Sequence, residues 1–137
     1  MRFLVDANVL SEPTKPAPNA NVLGWLRRYE GDLAIDPVIL GELQFGVLVL
    51  PGGRKRRLLE LWFDAVAKSL HCLPWEAETG LRWAELLARL RSSGRAMPIK
   101  DSLVAATALV HGLTVATRNR IDFEKAGVKV VDPFAAR

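Results

Sequence analysis

Apolar residues fall along this chain in two rhythms. Short unbroken runs, at Arg2 to Val5, Leu33 to Ile35, His71 to Leu73, Leu113 to Ala116 and Val128 to Val131, alternate with longer stretches in which apolar positions recur at helical spacing. The short runs lack the period-2 alternation of a half-exposed strand, so they read as strands buried on both faces. The longer stretches predict helices from Asn19 to about Tyr29, from Pro37 to just before Pro51, from Arg54 to Leu70, from Glu76 to Leu90, from Pro98 through Val110 and from Ile121 to Lys125. Their ends carry matching punctuation, with Asn19 as an N-cap, Pro37 and Pro98 in first turns and Gly112 as a terminator. Asp6-Ala7-Asn8 reads as a turn, with a proline-rich loop from Pro13 to Pro18 soon after.

Strands alternating with helices predict an α/β fold, a three-layer α/β/α sandwich around a central, mostly parallel sheet. No linker, repeat or low-complexity tract interrupts the pattern, so residues 1–137 are expected to form one domain. Ligands of an open parallel sheet bind at the carboxyl ends of its strands. Asp6 follows the first strand, and Asn119 and Asp122 follow the fourth, so these residues converge if the two strands are neighbours.

The composition, 50% apolar and 25% charged, excludes a disordered chain. No run approaches ~18 uncharged apolar residues, which excludes a membrane-spanning helix. The N-terminus shows acids by its sixth residue and no apolar signal segment, and a single cysteine, Cys72, rules out an internal disulfide. A reducing, cytoplasmic setting is therefore expected. A net charge of +4 and a pI near 9.6 permit a polyanionic partner without demanding one. The basic residues do cluster, at Arg54 to Arg57, at Arg89, Arg91, Arg95 and Lys100, and at Arg118 and Arg120.

Two acids sit where acids are expensive. Glu42 lies inside PVILGELQFG and Asp101 inside PIKDSLVAATAL, both strongly apolar helices. A carboxylate there costs desolvation energy unless it is paired or bound to a cation. Either alone admits a salt-bridge or helix-surface reading. Together with Asp6 and the residues after the fourth strand, they make a hard, oxygen-rich set suited to Mg²⁺ or Mn²⁺. Such ions activate a water and stabilise the leaving oxygen in phosphodiester hydrolysis, and the basic clusters then fit as phosphate contacts.

Four segments, LVDANVLSEP, VILGELQFGV, IKDSLVAATAL and VATRNRIDFEKAGVKVVDPF, resemble in order, spacing and flanking residues the signature blocks of PIN-domain ribonucleases. They are most similar to the VapC-like toxins of bacterial type II toxin–antitoxin pairs. The resemblance implies Asp6, Glu42, Asp101, Asn119 and Asp122 as the catalytic set. Asp6 and Asp101 would bind Mg²⁺ or Mn²⁺, with Glu42 and either Asn119 or Asp122 joining directly or through water. Many relatives have Asp where this chain has Asn119, so the choice between Asn119 and Asp122 stays open. Asn8 would hold the first loop and Thr117 would hydrogen-bond at the rim. Arg54, Lys55, Arg95, Lys100, Arg118 and Arg120 are candidate RNA contacts. The resemblance also implies in-line hydrolysis of RNA to a 5′-phosphate and a 3′-hydroxyl, without a covalent nucleophile. It further implies a homodimer, silenced by a cognate antitoxin whose peptide lies over the active site.

The predicted helix from Arg54 to Leu70 directs Leu58, Leu59, Leu61, Trp62, Phe63 and Val66 toward a core. Together with the helix from Glu76 to Leu90 it carries Trp62, Phe63, Leu86 and Leu87, more apolar bulk than one sheet face needs, which also points to a dimer. Other readings are an RNA-processing nuclease of the same fold without an antitoxin, and an inactive RNA-binding module; the intact acids oppose the second. A nucleotide-binding regulator is disfavoured because no Gly-rich phosphate loop follows any strand. His71 and His111 lack a partner at ligand spacing, Ser11 and Ser102 lack a histidine at usable spacing, Cys72 reads as a small core residue, and the four tryptophans read as packing residues. Asp36 is expected to cap a helix, and Asp132 to make a turn.

Overall fold

The computed structural model describes residues 1 to 135. The last two positions of the domain expected from the sequence, 136 and 137, lie outside the described residues. Five strands form one parallel sheet: β1 (Phe3–Val5), β2 (Leu33–Ile35), β3 (His71–Cys72), β4 (Thr114–Ala116) and β5 (Val130–Val131), in the order β3-β2-β1-β4-β5. Leu4 of β1 pairs with Ala34 on one side and Val115 on the other. Successive residues Phe3, Leu4 and Val5 are all buried, as are Leu33, Ala34 and Ile35, so helices cover both faces of the sheet centre. That burial is why these strands read as unbroken apolar runs.

The helices are α1 (Ala7–Leu10), α2 (Ala20–Arg28), α3 (Pro37–Leu48), α4 (Arg54–Ala65), α5 (Ala77–Ser92), α6 (Ile99–His111) and α7 (Arg120–Lys125). Asn19 caps α2 through the Asn21 and Val22 amides, as its sequence position implies. Asp36 caps α3 through the Ile39 amide at 2.9 Å, and Gly112 closes α6 at φ 64°, in the left-handed region. Asp132 makes its turn by accepting the Phe134 amide at 2.9 Å.

Three expectations need correction. The segment after β1 is a helix, α1, rather than a simple turn: the Asp6 carboxylate accepts the Ala7 amide at 2.9 Å and starts it. Four residues are too few to show helical periodicity in a sequence. The helix from Arg54 stops at Ala65 rather than Leu70, and a tight 3₁₀ turn over Ala67–Ser69 replaces its last part. The Ser69 hydroxyl fixes that turn by donating to the Val66 carbonyl at 2.6 Å, and the chain then reaches β3. Finally, Leu58, Leu61 and Val66 do not face the core: they are 56%, 62% and 39% exposed, while Phe63 alone of α4 is buried.

The core is assembled on the sheet. Phe3 packs edge-on against Trp25 and Tyr29, with ring centroids 4.9 and 5.0 Å away. On the other elements Leu86, Leu90, Val104, Ala105 and Ala108 are buried where α5 meets α6. The small residues of α6 let it lie close, which brings Asp101 toward the strand ends.

Candidate active site

β1 and β4 are adjacent, so the loops that leave their carboxyl ends meet. The Asp6 amide donates to the Ala116 carbonyl at 2.9 Å and ties the two loops together at their first residues. Asp6 is only 6% exposed. Its Oδ2 accepts the Thr117 hydroxyl at 2.7 Å and the Asn8 amide nitrogen at 3.3 Å. Asn8 is a brace between the loops, because its Nδ2 also reaches Thr117 Oγ1 at 3.3 Å and its Oδ1 accepts the Arg118 amide at 3.1 Å. Thr117 accepts the Asn119 amide at 2.9 Å as well. Thr117 is fully buried, so it belongs to the floor of the site and not to the rim.

Helices α3 and α6 bring the other two acids. Glu42 lies in the second turn of α3, and its Oε2 accepts a hydrogen bond from the Lys100 ammonium at 2.6 Å. Its other oxygen, Oε1, is buried without a hydrogen-bond partner. Asp101 sits in the first turn of α6, 5% exposed, and its Oδ2 accepts the Asn119 side-chain amide at 3.0 Å. Asp122, in the first turn of α7, does not cap that helix; it pairs with Lys125 at 3.2 Å and bears electrostatically on Asp101.

The acids perturb one another. Burial pushes the Asp6 carboxyl up to about 6, against the hydrogen bond from Thr117, and the charges of Glu42 and Asp101 add to the rise. Asp101 is raised as well, mainly by burial and then by Asp122 and Glu42, with Lys100 opposing. The Lys100 ammonium is stabilised in turn by Glu42, Asp101 and Asp6. One cation thus lies within the field of three of the four sequence-predicted carboxylates, Asp6, Glu42 and Asp101.

Of the six candidate RNA contacts, Lys100 is engaged with Glu42 and Arg120 with Glu124 at 3.0 Å. Arg118 lies over the Phe134 ring at 4.5 Å, beside the Asn8 brace, and remains exposed. Arg54, Lys55 and Arg95 are exposed, and among the described residues no salt bridge joins them to the acid cluster. Two further acids outside the set are buried, Glu12 without a sequence signal and Asp36 with one for only part of its role. Glu12 is 5% exposed, accepts the Asn19 amide at 2.8 Å and pairs with Lys15 at 3.1 Å, which pins the proline-rich loop and lowers its pKa. Asp36 is fully buried and accepts the Thr107 hydroxyl at 2.7 Å in addition to capping α3. The cap was readable from its position before Pro37, but the bond to α6 was not.

The donor set fits a hard divalent cation chemically. It offers carboxylate oxygens from three elements, an amide at Asn119, and an orphaned buried oxygen on Glu42. As the side chains stand, no three His, Cys, Asp or Glu among the described residues close on a common point for a metal. Lys100 instead supplies the positive charge that the acids require.

Comparison with known proteins agrees with this architecture. Residues 3–129 match the family model described as the PIN domain. The chain is similar to the VapC ribonuclease Y4jK of Sinorhizobium fredii, at 31% identity over 96% of this chain and 97% of that protein. It is similar to the toxin FitB of Neisseria gonorrhoeae, at 33% identity over 96% of this chain and 98% of that protein. Among solved structures, the crystal structure of FitAcB from Neisseria gonorrhoeae superposes with a TM-score of 0.91 at 32% identity, covering 98% of this chain and 99% of that one.

Proposed function

The chain belongs to the PIN-domain family, and from that premise we propose that it is a metal-dependent endoribonuclease, the toxin of a toxin–antitoxin pair. The observation that carries the reading is the convergence of Asp6, Glu42 and Asp101 at the carboxyl edge of β1 and β4, close enough that the charge of Glu42 helps raise both Asp6 and Asp101. Relatives of nearly full length are named a ribonuclease and a toxin, which favours this reading over an RNA-processing nuclease without an antitoxin.

Asp6, Glu42 and Asp101 would hold Mg²⁺ or Mn²⁺, with Asn119 as a neutral oxygen and Asp122 lending charge from behind Lys125. When bound, the ion would supply charge for the phosphodiester and acidify a water for in-line attack. The chain's own residues do the positioning. Thr117 and Asn8 fix the Asp6 carboxylate in one orientation, and Asn119 holds that of Asp101. Arg118, steadied on Phe134, is available to an RNA phosphate beside the site. His71 and His111 are exposed, and the proposed hydrolysis, which leaves a 5′-phosphate and a 3′-hydroxyl without a covalent intermediate, gives them no role.

The protein partner is the cognate antitoxin. A groove of about 310 Å³, lined by Asn8, Ser11, Glu42, Gly46, Leu59 and Trp62, opens beside Glu42 and suits a peptide laid over the site. Purified protein should cleave RNA with Mn²⁺ or Mg²⁺, stop with excess chelator, and stop again when the product of the adjacent gene is added. Full cleavage in chelator would remove the metal from the mechanism.

A further inference from the structure

We propose that Lys100 is an internal competitor for the metal site: its ammonium holds Glu42 until a divalent cation displaces it. The inference rests on the metal reading of the acid cluster given above. Lys100 is in the first turn of α6, whereas Glu42 is on α3, so their 2.6 Å contact is a tertiary choice and not a helix-neighbour pair. The ammonium also feels Asp101 and Asp6, so it lies in the field of all three acids. Glu42 is engaged on one side only, since its Oε1 is buried and unpartnered. An acid that used its lysine as a permanent structural partner would be expected to satisfy both oxygens.

Lys100 is also built to leave. Its side chain is 52% exposed, against 30% for Glu42. A lysine head is a compact, strongly hydrated charge on a flexible stem, so rotation into water strands no group that folding has buried. A divalent ion held by the free Oε1 of Glu42 would face the ammonium on Oε2 across a single carboxylate, and two cations that close repel each other strongly enough to drive the flexible lysine away. The same residue therefore discharges the cluster in the metal-free protein and raises the ion concentration needed to fill it. Arginine would keep the charge and methionine would keep the stem without it.

Calorimetric titration of the full chain with Mn²⁺ tests this without an activity assay. Lys100→Met should bind Mn²⁺ about three- to tenfold more tightly than the unmodified protein. Lys100→Arg, and the remote Lys129→Met that removes an exposed charge, should stay within about twofold of it. The rise in melting temperature on adding Mn²⁺ should likewise be larger in Lys100→Met, and Lys100→Gln offers the same readout if the methionine variant does not fold. Binding in Lys100→Met no tighter than in Lys129→Met overturns the competition while leaving the metal reading in place. Absence of Mn²⁺ binding in every variant overturns both.

Discussion

Asp6 is the residue on which the chemistry and the stability of the site collide. Its carboxyl titrates near 6 in the folded chain, against 3.8 when unperturbed, so the native state holds this proton more tightly than the unfolded state. Its stability contribution is then complete at low pH and is lost as pH rises through 6, an effect on the order of 3 kcal/mol. The metal-free protein should therefore melt lower at pH 7.5 than at pH 5, and Asp6→Asn should flatten most of that slope. An unchanged slope in the variant would assign the effect to other groups. Asn119 is the second residue where a choice has a visible reason. Its amide donates to Asp101, where an aspartate would add a further like charge to a crowded cluster. Asn119→Asp should keep cleavage and tighten Mn²⁺ binding, yet lower metal-free stability by about 1 kcal/mol. Asp122→Asn should weaken binding only in part, since Lys125 already neutralises that acid. Complete loss of cleavage in Asp122→Asn, with Asn119→Ala unaffected, would reverse the two roles.

Helices, more than loops, set the spacing of the acids. Asp36 joins two of them: it caps α3, which carries Glu42, and accepts a hydrogen bond from Thr107 on α6, which carries Asp101. Removing it deletes a cap and leaves a buried hydroxyl without its acceptor. Asp36→Ala should cost about 2–3 kcal/mol in urea denaturation, with Asp36→Ser recovering the cap share. An unmoved midpoint would make the buried carboxylate dispensable. At the same scale, the apolar stripe of α4 is divided. Phe63 enters the core, Trp62 is half-buried, and Leu58 and Leu61 face outward. Phe63 and Leu86 are both buried in their own chain, which leaves neither for a second copy to cover.

For the whole molecule, the uncovered apolar residues include Phe45, Leu48 and Val49 at the α3 end and Leu58 and Leu61 of α4, all more than half exposed. Single exposed apolar residues are ordinary, but so many on two packed helices are normally covered by a partner. Light scattering at tens of micromolar should give twice the monomer mass, and Leu61→Glu should shift it toward the monomer with little change in unfolding midpoint. A monomeric mass for the unmodified protein would leave that surface to the antitoxin alone. Among the described residues, no helix is long and apolar enough to cross a membrane.

The chain's own pattern determined the succession of strands and helices, the caps at Asn19, Asp36 and Gly112, and the acids that sit in apolar helices. Those signals arise from neighbours a few residues apart, through helical period, cap chemistry and backbone freedom. The signature blocks likewise marked Asp6, Glu42 and Asp101 for a shared site. Tertiary structure alone decided that Thr117 is buried against Asp6, that Asn119 serves Asp101, and that Lys100 answers Glu42, contacts that span 111, 18 and 58 residues. It also decided which side of α4 is covered. Periodicity reports that a helix has an apolar face, whereas burial depends on what packs against that face. Likewise, a carboxylate in an apolar helix shows that a positive charge is needed, and only the packing of α6 on α3 shows which group brings it.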